Sequence, residues 1–472
     1  MGKSVGADER VVGSHSQPEV PVQLVSLNPS TGDTVGAVEV TPAESVEYVV
    51  AAARRAQPAW EALGPRGRAD LLLLAAGEFM ARAEELGELL SREMGKPVRE
   101  AIGEVRSCGA GLAEELDEMV GALQPELLED KRTRTVLMHD PLGVAAAITP
   151  WNFPISMPHW MVLPALVAGN TVVLKPSEET PLIAAAYVEI LGRGLPNDVL
   201  AIIHGDEEQG RALVDADVDL IAFTGSRNAG RQIMASAAGG LKRLILELGG
   251  KDPLLVLADA DVPKAARFAA RNSFRNAGQV CVSTERIYVL EDIADEFEQQ
   301  LVEELVKFPV GDGLDSTHMI GPMINNTQAT HVRRQVAAAI GEGARVLGGG
   351  ENLPGNFVQP TVLAGLNHGM DIMKTETFGP IACVVRCATE EEAIRLANDS
   401  VYGLGAVVFG EDEAHAAEVA RKIRAGMVGV NRGVGGAQGS PWVGAKQSGL
   451  GFHGGPYGHR QFTQPRIVST PG

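Results

Sequence analysis

Apolar positions change their period several times along the chain, and those changes divide it. From Val22 a short strand, a turn over Asn28-Pro29-Ser30-Thr31-Gly32-Asp33 and a second strand through Val35–Val40 are predicted. Thr41-Pro42-Ala43-Glu44 reads as an N-cap, a proline at the first helical position and a carboxylate closing a capping box. The helix after it places Val46, Val49, Val50, Ala53 and Ala56 on one face. Arg66 to Met94 repeats that pattern through Leu71, Leu72, Ala75, Phe79, Leu86 and Leu89 and ends at Gly95, and a further helical segment covers Val98–Val120. Lys131–Met138 then alternates charged and apolar residues, as a two-faced or edge strand does.

From Pro141 the texture changes. Short apolar runs at Val144–Thr149, Thr171–Leu174, Leu220–Phe223, Leu244–Leu248 and Leu254–Leu257 read as strands, and a helix opens at Thr180-Pro181. Apolar strands separated by helices imply a parallel sheet covered on both faces. Such sheets bind ligands beyond the carboxyl ends of their strands. Polar and glycine-rich residues fall at those ends: Pro150-Trp151-Asn152, Lys175-Pro176-Ser177-Glu178 and Thr224-Gly225-Ser226. After Gly250 a second α/β unit starts, with a glycine-rich connection at Gly341–Gly350 and the segment Lys374–Pro380. Gly433–Gly455 reads as a loop and Arg460–Val468 as a closing strand.

Composition narrows the class. A chain of 472 residues predicts two or three domains, and 45% hydrophobic with 21% charged residues describes an ordinary soluble protein. The net charge of −19 argues against nucleic acid or an anionic membrane as a partner. Residues 1–20 lack an apolar core and read as a disordered tail, and the apolar run Val162–Val173 is broken by Pro164, Gly169 and Asn170. Four cysteines, Cys108, Cys281, Cys383 and Cys387, make no disulfide framework and fit the cytoplasm. Cys383 and Cys387 lie in a strand with no second Cys or His pair nearby, so no metal site is expected.

One stretch concentrates the chemistry. Arg271–Arg286 sets Cys281 beside Gly278-Gln279, between an apolar helix and the strand Ile287–Leu290. A thiol held in such a turn suits a nucleophile, although a free cysteine is more often a small core residue. Glu247 ends a strand before Gly249-Gly250, where it serves as a general base if buried, or else as a surface glutamate before a turn. Asn152 could donate its amide to an oxyanion or simply shape a turn. Lys175 could meet a ribose or phosphate or remain solvated. The GxGxxG fingerprint is absent, and Gly225–Gly230 is only a loose phosphate-loop candidate.

Taken together and in this order, these motifs resemble the aldehyde dehydrogenase superfamily. They are Pro150-Trp151-Asn152-Phe153-Pro154, Lys175-Pro176-Ser177-Glu178, Phe223-Thr224-Gly225-Ser226, Glu247-Leu248-Gly249-Gly250-Lys251, Gly278-Gln279-Val280-Cys281 and Glu376-Thr377-Phe378-Gly379-Pro380. The resemblance spans about Asn28 to Val468. It implies an α/β architecture: a doubly wound Rossmann-like NAD-binding domain (21–118 and 141–248), an α/β catalytic domain (249–435) and a small β oligomerisation unit (119–140 and 455–472). Residues 436–454 would return as a loop to the cofactor domain. A homodimer or homotetramer is implied.

The implied reaction is oxidation of an aldehyde to the acid with NAD, through a thiohemiacetal and a thioester on Cys281. Asn152 and the Cys281 backbone N–H would hold the oxyanion, and Glu247 would activate the hydrolytic water. Trp151, Lys175, Glu178, Gly225, Ser226, Glu376 and Phe378 would contact the cofactor. Glu178 favours NAD, because a carboxylate beside the ribose repels the extra phosphate of NADP, although NADP stays open.

Two departures stand out. His453, in Gly451-Phe452-His453, occupies the place where many relatives carry a proton-relaying glutamate. Arg275 resembles an arginine that binds the distal carboxylate in succinic semialdehyde dehydrogenases, but the partner arginine of that pocket is Trp160 here. Met157 and Trp160 suggest an apolar tunnel or plain core packing. A semialdehyde dehydrogenase and a CoA-acylating relative are therefore the alternatives, the second disfavoured by the presence of Glu247.

Overall fold

The structure, a computed structural model, describes residues 22–472. The expectation of a disordered tail over residues 1–20 lies outside the described residues. Two parallel-rich sheets dominate the molecule. In the first, β1 (Val144–Ile148), β2 (Thr171–Lys175), β3 (Leu200–Ile202), β4 (Leu220–Gly225) and β5 (Arg243–Leu248) are parallel, and the two-residue strand Gly449–Leu450 pairs antiparallel to β5. The spatial order runs from that short strand through β5, β4, β1 and β2 to β3. The direction of winding reverses beside β1, which makes a topological switch point between β1 and β4.

Burial explains why these runs are so apolar. Every residue of β1 is buried. Ala145 and Ala147 join a core with Trp60, Phe79, Leu166 and Tyr187, whereas Val144, Ala146 and Ile148 join one with Val50, Leu213 and Ile233. Alternate residues thus feed opposite layers, so no position on the strand is free to be polar.

The second sheet contains β6 (Asp252–Val256), β7 (Thr284–Leu290), β8 (Arg345–Gly348), β9 (Thr361–Ala364), β10 (Ile381–Cys387), β11 (Gly405–Phe409) and β12 (Met427–Val430). Its order is β8-β9-β10-β7-β6-β11-β12, parallel except for the β8–β9 pair. Cys383 and Cys387 are buried in its core. A third, antiparallel sheet joins Glu126–Glu129, Thr133–Pro141 and Thr463–Pro471, with nine residue pairs in register between the last two. The strand expected over Lys131–Met138 is therefore present, displaced slightly toward the C-terminus, but it is the central strand of this sheet and not an edge: its two sides pair with Glu126–Glu129 and Thr463–Pro471. Among the described residues no helix is long and apolar enough to cross a membrane.

Three local expectations need correction. The run from Arg66 to Met94 is three helices, Gly64–Leu73, Ala76–Ala81 and Ala83–Met94. Leu72, Ala75, Phe79, Ala83, Leu86 and Leu90 stay buried across both breaks, so the interruptions leave the apolar phase intact. Val98–Val120 is likewise two helices, Val98–Ala110 and Leu112–Ala122, parted at Gly111. The capping box at Thr41–Glu44 does not form: no side chain caps the single 3-10 turn there or the helix that follows. The Thr41 hydroxyl accepts instead from the His204 backbone N–H at 3.1 Å, tying this segment to the end of β3.

Candidate active site

The carboxyl ends of the first sheet line up. Ile148 is in register with Lys175 on one side and Phe223 on the other, and Thr224 with Glu247. The chain leaving β1 carries Trp151 and Asn152 before helix α1 (Ser156–Ala168). Asn152 is buried and held from both ends. Its carbonyl accepts from Lys96 Nζ at 2.7 Å, and its Nδ2 donates to the Gln279 carbonyl at 3.1 Å. Lys96 in turn pairs with Glu104 at 2.6 Å. The other Glu104 oxygen accepts from Ile155 and Ser156 N–H at the start of α1, each at 3.1 Å. This buried ion pair was invisible in the sequence, because neither residue carries a motif and they meet only through tertiary packing.

Cys281 arrives from the second sheet by a different route. Helix α2 (Val262–Phe274) ends at Arg275, and Asn276, Ala277 and Gly278 all have positive φ, at 52°, 56° and 71°. A run of left-handed backbone is costly and persists only where its surroundings over-determine it. Here they do. Asn276 Nδ2 donates to the Gln279 carbonyl at 3.2 Å and the Asn152 carbonyl at 3.3 Å. Gln279 Nε2 returns to the Asn276 carbonyl at 3.1 Å, and its Oε1 accepts from Ile324 N–H at 2.9 Å. A side chain at Gly278 would run into the Gly379 carbonyl, so the position excludes any larger residue. The turn releases Cys281 just before β7, half-buried in the floor of a cleft of about 1200 Å³.

Glu247 lies beside the thiol. Its oxygens accept from Thr224 Oγ1 at 3.0 Å and Trp442 Nε1 at 3.1 Å. Burial raises the Glu247 carboxyl above its ordinary pKa, against the opposing hydrogen bonds from Cys281, Thr224 and Trp442. Burial also pushes the Cys281 thiol well up, with the negative charge of Glu247 adding to the shift. Two neighbouring groups that each disfavour their anionic form suit a proton exchanged between them.

His453 lies over the same carboxylate. It packs against Trp160, with ring centroids 5.7 Å apart, and against Trp442, at 6.5 Å. Its Nε2 is 4.0 Å from Glu247, buried and without a hydrogen-bond partner, and burial lowers its pKa to about 4. Met157 and Trp160 both line the cleft, the first buried and the second 39% exposed. Arg275 lines it too, 3.6 Å from Glu100 and with its guanidinium over the Phe153 ring.

On the other side of Glu247 lies the crevice at the switch point. Lys175 is buried at the end of β2, its ammonium 3.3 Å from Glu178, whose side chain is 47% exposed. A buried cation and an open carboxylate side by side supply the donor and acceptor that a ribose diol requires. Gly225 ends β4, and the Ser226 hydroxyl caps helix α3 (Arg227–Ala237) by accepting from Ala229 N–H. Glu376 accepts from Gly250 N–H at 2.8 Å, and burial together with Glu285 pushes its carboxyl up to about 8. Phe378 packs edge-on against Trp151, centroids 5.6 Å apart. A second buried pair, Lys251–Glu285, holds this segment through Thr377 and Phe378 N–H, each 2.8 Å from Glu285. Lys251 was visible in the sequence as part of a motif, but its anchoring role was not. The donor set fits a dinucleotide.

Fold and site together define a dinucleotide-linked enzyme with a thiol at the seam of two sheets. A model of the aldehyde dehydrogenase family matches residues 17–468, and the chain belongs to that family. It is 37% identical over 447 residues to glutarate-semialdehyde dehydrogenase of Pseudomonas putida, with 93% of each chain covered. It is 38% identical over 449 residues to the NADP(+)-type succinate-semialdehyde dehydrogenase of Escherichia coli, again with 93% of each covered. The crystal structure of lactaldehyde dehydrogenase from Escherichia coli superposes with a TM-score of 0.92 at 34% identity, covering 96% of both chains. The protein is an aldehyde-oxidising oxidoreductase that uses a nicotinamide dinucleotide.

Proposed function

We propose that Cys281 is the nucleophile, Glu247 the general base and Asn152 the oxyanion donor in oxidation of a carboxylated aldehyde to the acid. The observation that carries this reading is the meeting of all three residues at one seam, Asn152 and the Cys281 turn held by the Asn152–Gln279 and Asn276 hydrogen bonds and Glu247 by Thr224 and Trp442. Glu247 takes the thiol proton, and the sulfur adds to the carbonyl carbon. The oxyanion of the thiohemiacetal is met by an Asn152 N–H. One amide hydrogen is engaged on the Gln279 carbonyl at 3.1 Å, and an amide carries two. A bound dinucleotide would supply the hydride acceptor, and loss of the hydride would leave a thioester on Cys281. Glu247, having passed that proton to solvent water, then deprotonates the water that hydrolyses the thioester; the acid departs and Glu247 returns the proton to the Cys281 thiolate.

Trp151, Lys175, Glu178, Gly225, Ser226, Glu376 and Phe378 are the proposed cofactor contacts, and Glu178 favours NAD over NADP. The relatives named for glutarate and succinate semialdehydes support a carboxylated substrate. Arg275 in the cleft wall is the group that would hold its distal charge, with Met157 and Trp160 beside the apolar part. An oligomer is supported by the third sheet, where Leu127, Leu128, Ile467 and Val468 expose large apolar side chains on outer strands. Four free thiols support a reducing, cytoplasmic setting.

The test is NADH formation from a panel of plain and carboxylated aldehydes, with and without CoA. Rapid CoA-independent turnover of carboxylated aldehydes is expected. No NADH from any aldehyde contradicts the reaction, and strict dependence on CoA contradicts hydrolysis by Glu247.

A further inference from the structure

The chain carries a net charge of −19, yet the cleft above Cys281 has the opposite sign. Its walls hold five cations, Lys96, Arg267, Arg271, Arg275 and Lys307, against three carboxylates, Glu100, Glu104 and Glu304. Each carboxylate is already engaged: Glu104 with Lys96 at 2.6 Å, Glu304 with Lys307 at 2.7 Å and Glu100 with Arg275 at 3.6 Å. The surplus is Arg267 and Arg271, which are exposed and have no carboxylate within salt-bridge distance among the described residues.

These two arginines stand four residues apart on α2, and Arg275 follows four residues later at its end. Like charges at this spacing repel one another on a helix surface. Arg271, in the last turn, is partly compensated by the helix dipole; Arg267 is not. The three guanidinium groups form a ladder along one cleft wall, with rungs about 6 Å apart along the helix axis. Its lowest rung adjoins the turn that holds Cys281, the upper two lie one and two turns back along α2, and all three residues are exposed. The same cleft is also lined by Met157, Trp160, Val280, Phe308 and Trp442, which give it an apolar surface.

We propose that Arg271 and Arg267 form an anion-docking station above Arg275, selecting aldehydes with an apolar body and a distal anionic group that reaches past Arg275. This rests on the reading of Cys281 as the reacting thiol. It departs from that reading in naming residues and a minimum length: a short semialdehyde ends at Arg275, and a longer ω-oxo acid engages Arg271 and then Arg267.

The test measures binding, so it does not depend on turnover. In the Cys281→Ala enzyme, quenching of Trp160 and Trp442 fluorescence gives dissociation constants for ω-oxo carboxylates of increasing length and for alkanals of matched length. The proposal expects affinity in the oxo-acid series to rise again once the carboxylate reaches Arg271. It also expects Arg271→Gln to weaken the longer oxo acids about tenfold, as loss of a charge-assisted contact should. Arg267→Gln should act only on the longest. Equal weakening of the alkanals, or no dependence on length, overturns it. So does a loss shared by every oxo acid and abolished in about 1 M salt, since that describes long-range attraction without docking. Failure of the Cys281 reaction would appear separately, as absence of NADH from the wild-type enzyme.

Discussion

The two sheets deliver their residues to the seam from opposite ends. The first uses the carboxyl ends of β1, β2, β4 and β5, where Asn152, Lys175, Ser226 and Glu247 lie on or just after regular strands. The second uses the amino-terminal edges of β7 and β10, which Cys281 and Glu376 precede. A strand end inherits its position from a ladder of hydrogen bonds and two packed faces, so few additional props are needed. A residue ahead of a strand has no such frame. Its position must be built from left-handed backbone at Asn276–Gly278, two buried amides and the Lys251–Glu285 pair. The proposed nucleophile thus sits on the more strained and more heavily buttressed of the two supports.

That contrast can be broken. Gly278→Ala should have the largest effect, because a methyl group would meet the Gly379 carbonyl at a φ of 71° that alanine resists. A loss of activity of at least about a hundredfold is expected, from backbone strain and displacement of Cys281. Steady-state kinetics with a thiol-accessibility assay would show it, and near-normal kcat would mean the turn is not under the constraint described. Lys96→Met comes next. It leaves Glu104 buried without its cation, at a cost of roughly 3–5 kcal/mol, and frees the Asn152 carbonyl. Chemical denaturation and kcat should fall together.

A pH profile sharpens the comparison. Burial and the Glu247 charge both raise the Cys281 pKa, so the thiolate is scarce at neutrality. On this account kcat/KM is still climbing above the ordinary thiol range of about 8.5 and reaches no plateau within it. Replacing Glu247 by glutamine removes the repulsion, so in the single-turnover NADH burst that variant still gives, the rise should move to lower pH; a shift to higher pH would contradict the sign. At the small end, Ile148→Val trims a frame that is firm without it. It should cost about 0.5–1.5 kcal/mol in thermal or denaturant unfolding and leave kcat near wild type.

The same contrast explains what the sequence disclosed. The strand ends of the first sheet were legible to within two residues because continuous apolar runs stop abruptly at polar residues, whereas the register of Ile148 with Lys175 and Phe223 is set by the ladder between strands. Cys281 was placed correctly in a turn; Asn276 tolerates left-handed backbone, but nothing in Ala277 announces it, since alanine is no turn former. The ion pairs under Asn152 and Phe378 join residues distant in sequence, and no local period encodes them. Gly433–Gly455 read as a plain loop for a related reason. One of its two-residue strands, Gly449–Leu450, exists only because Leu246 and Glu247 are there to pair with it, and the other two, Trp442–Val443 and Phe452–His453, pair with each other.

The central claim is that Cys281 carries the acyl group and Glu247 releases it. Mass spectrometry of the Glu247→Gln enzyme, mixed with dinucleotide and a carboxylated aldehyde, tests both halves at once. The account predicts one equivalent of NADH followed by a stalled protein whose added mass is the acyl group, located on the peptide containing Cys281. Normal turnover with no adduct, or an adduct on any other residue, would contradict it.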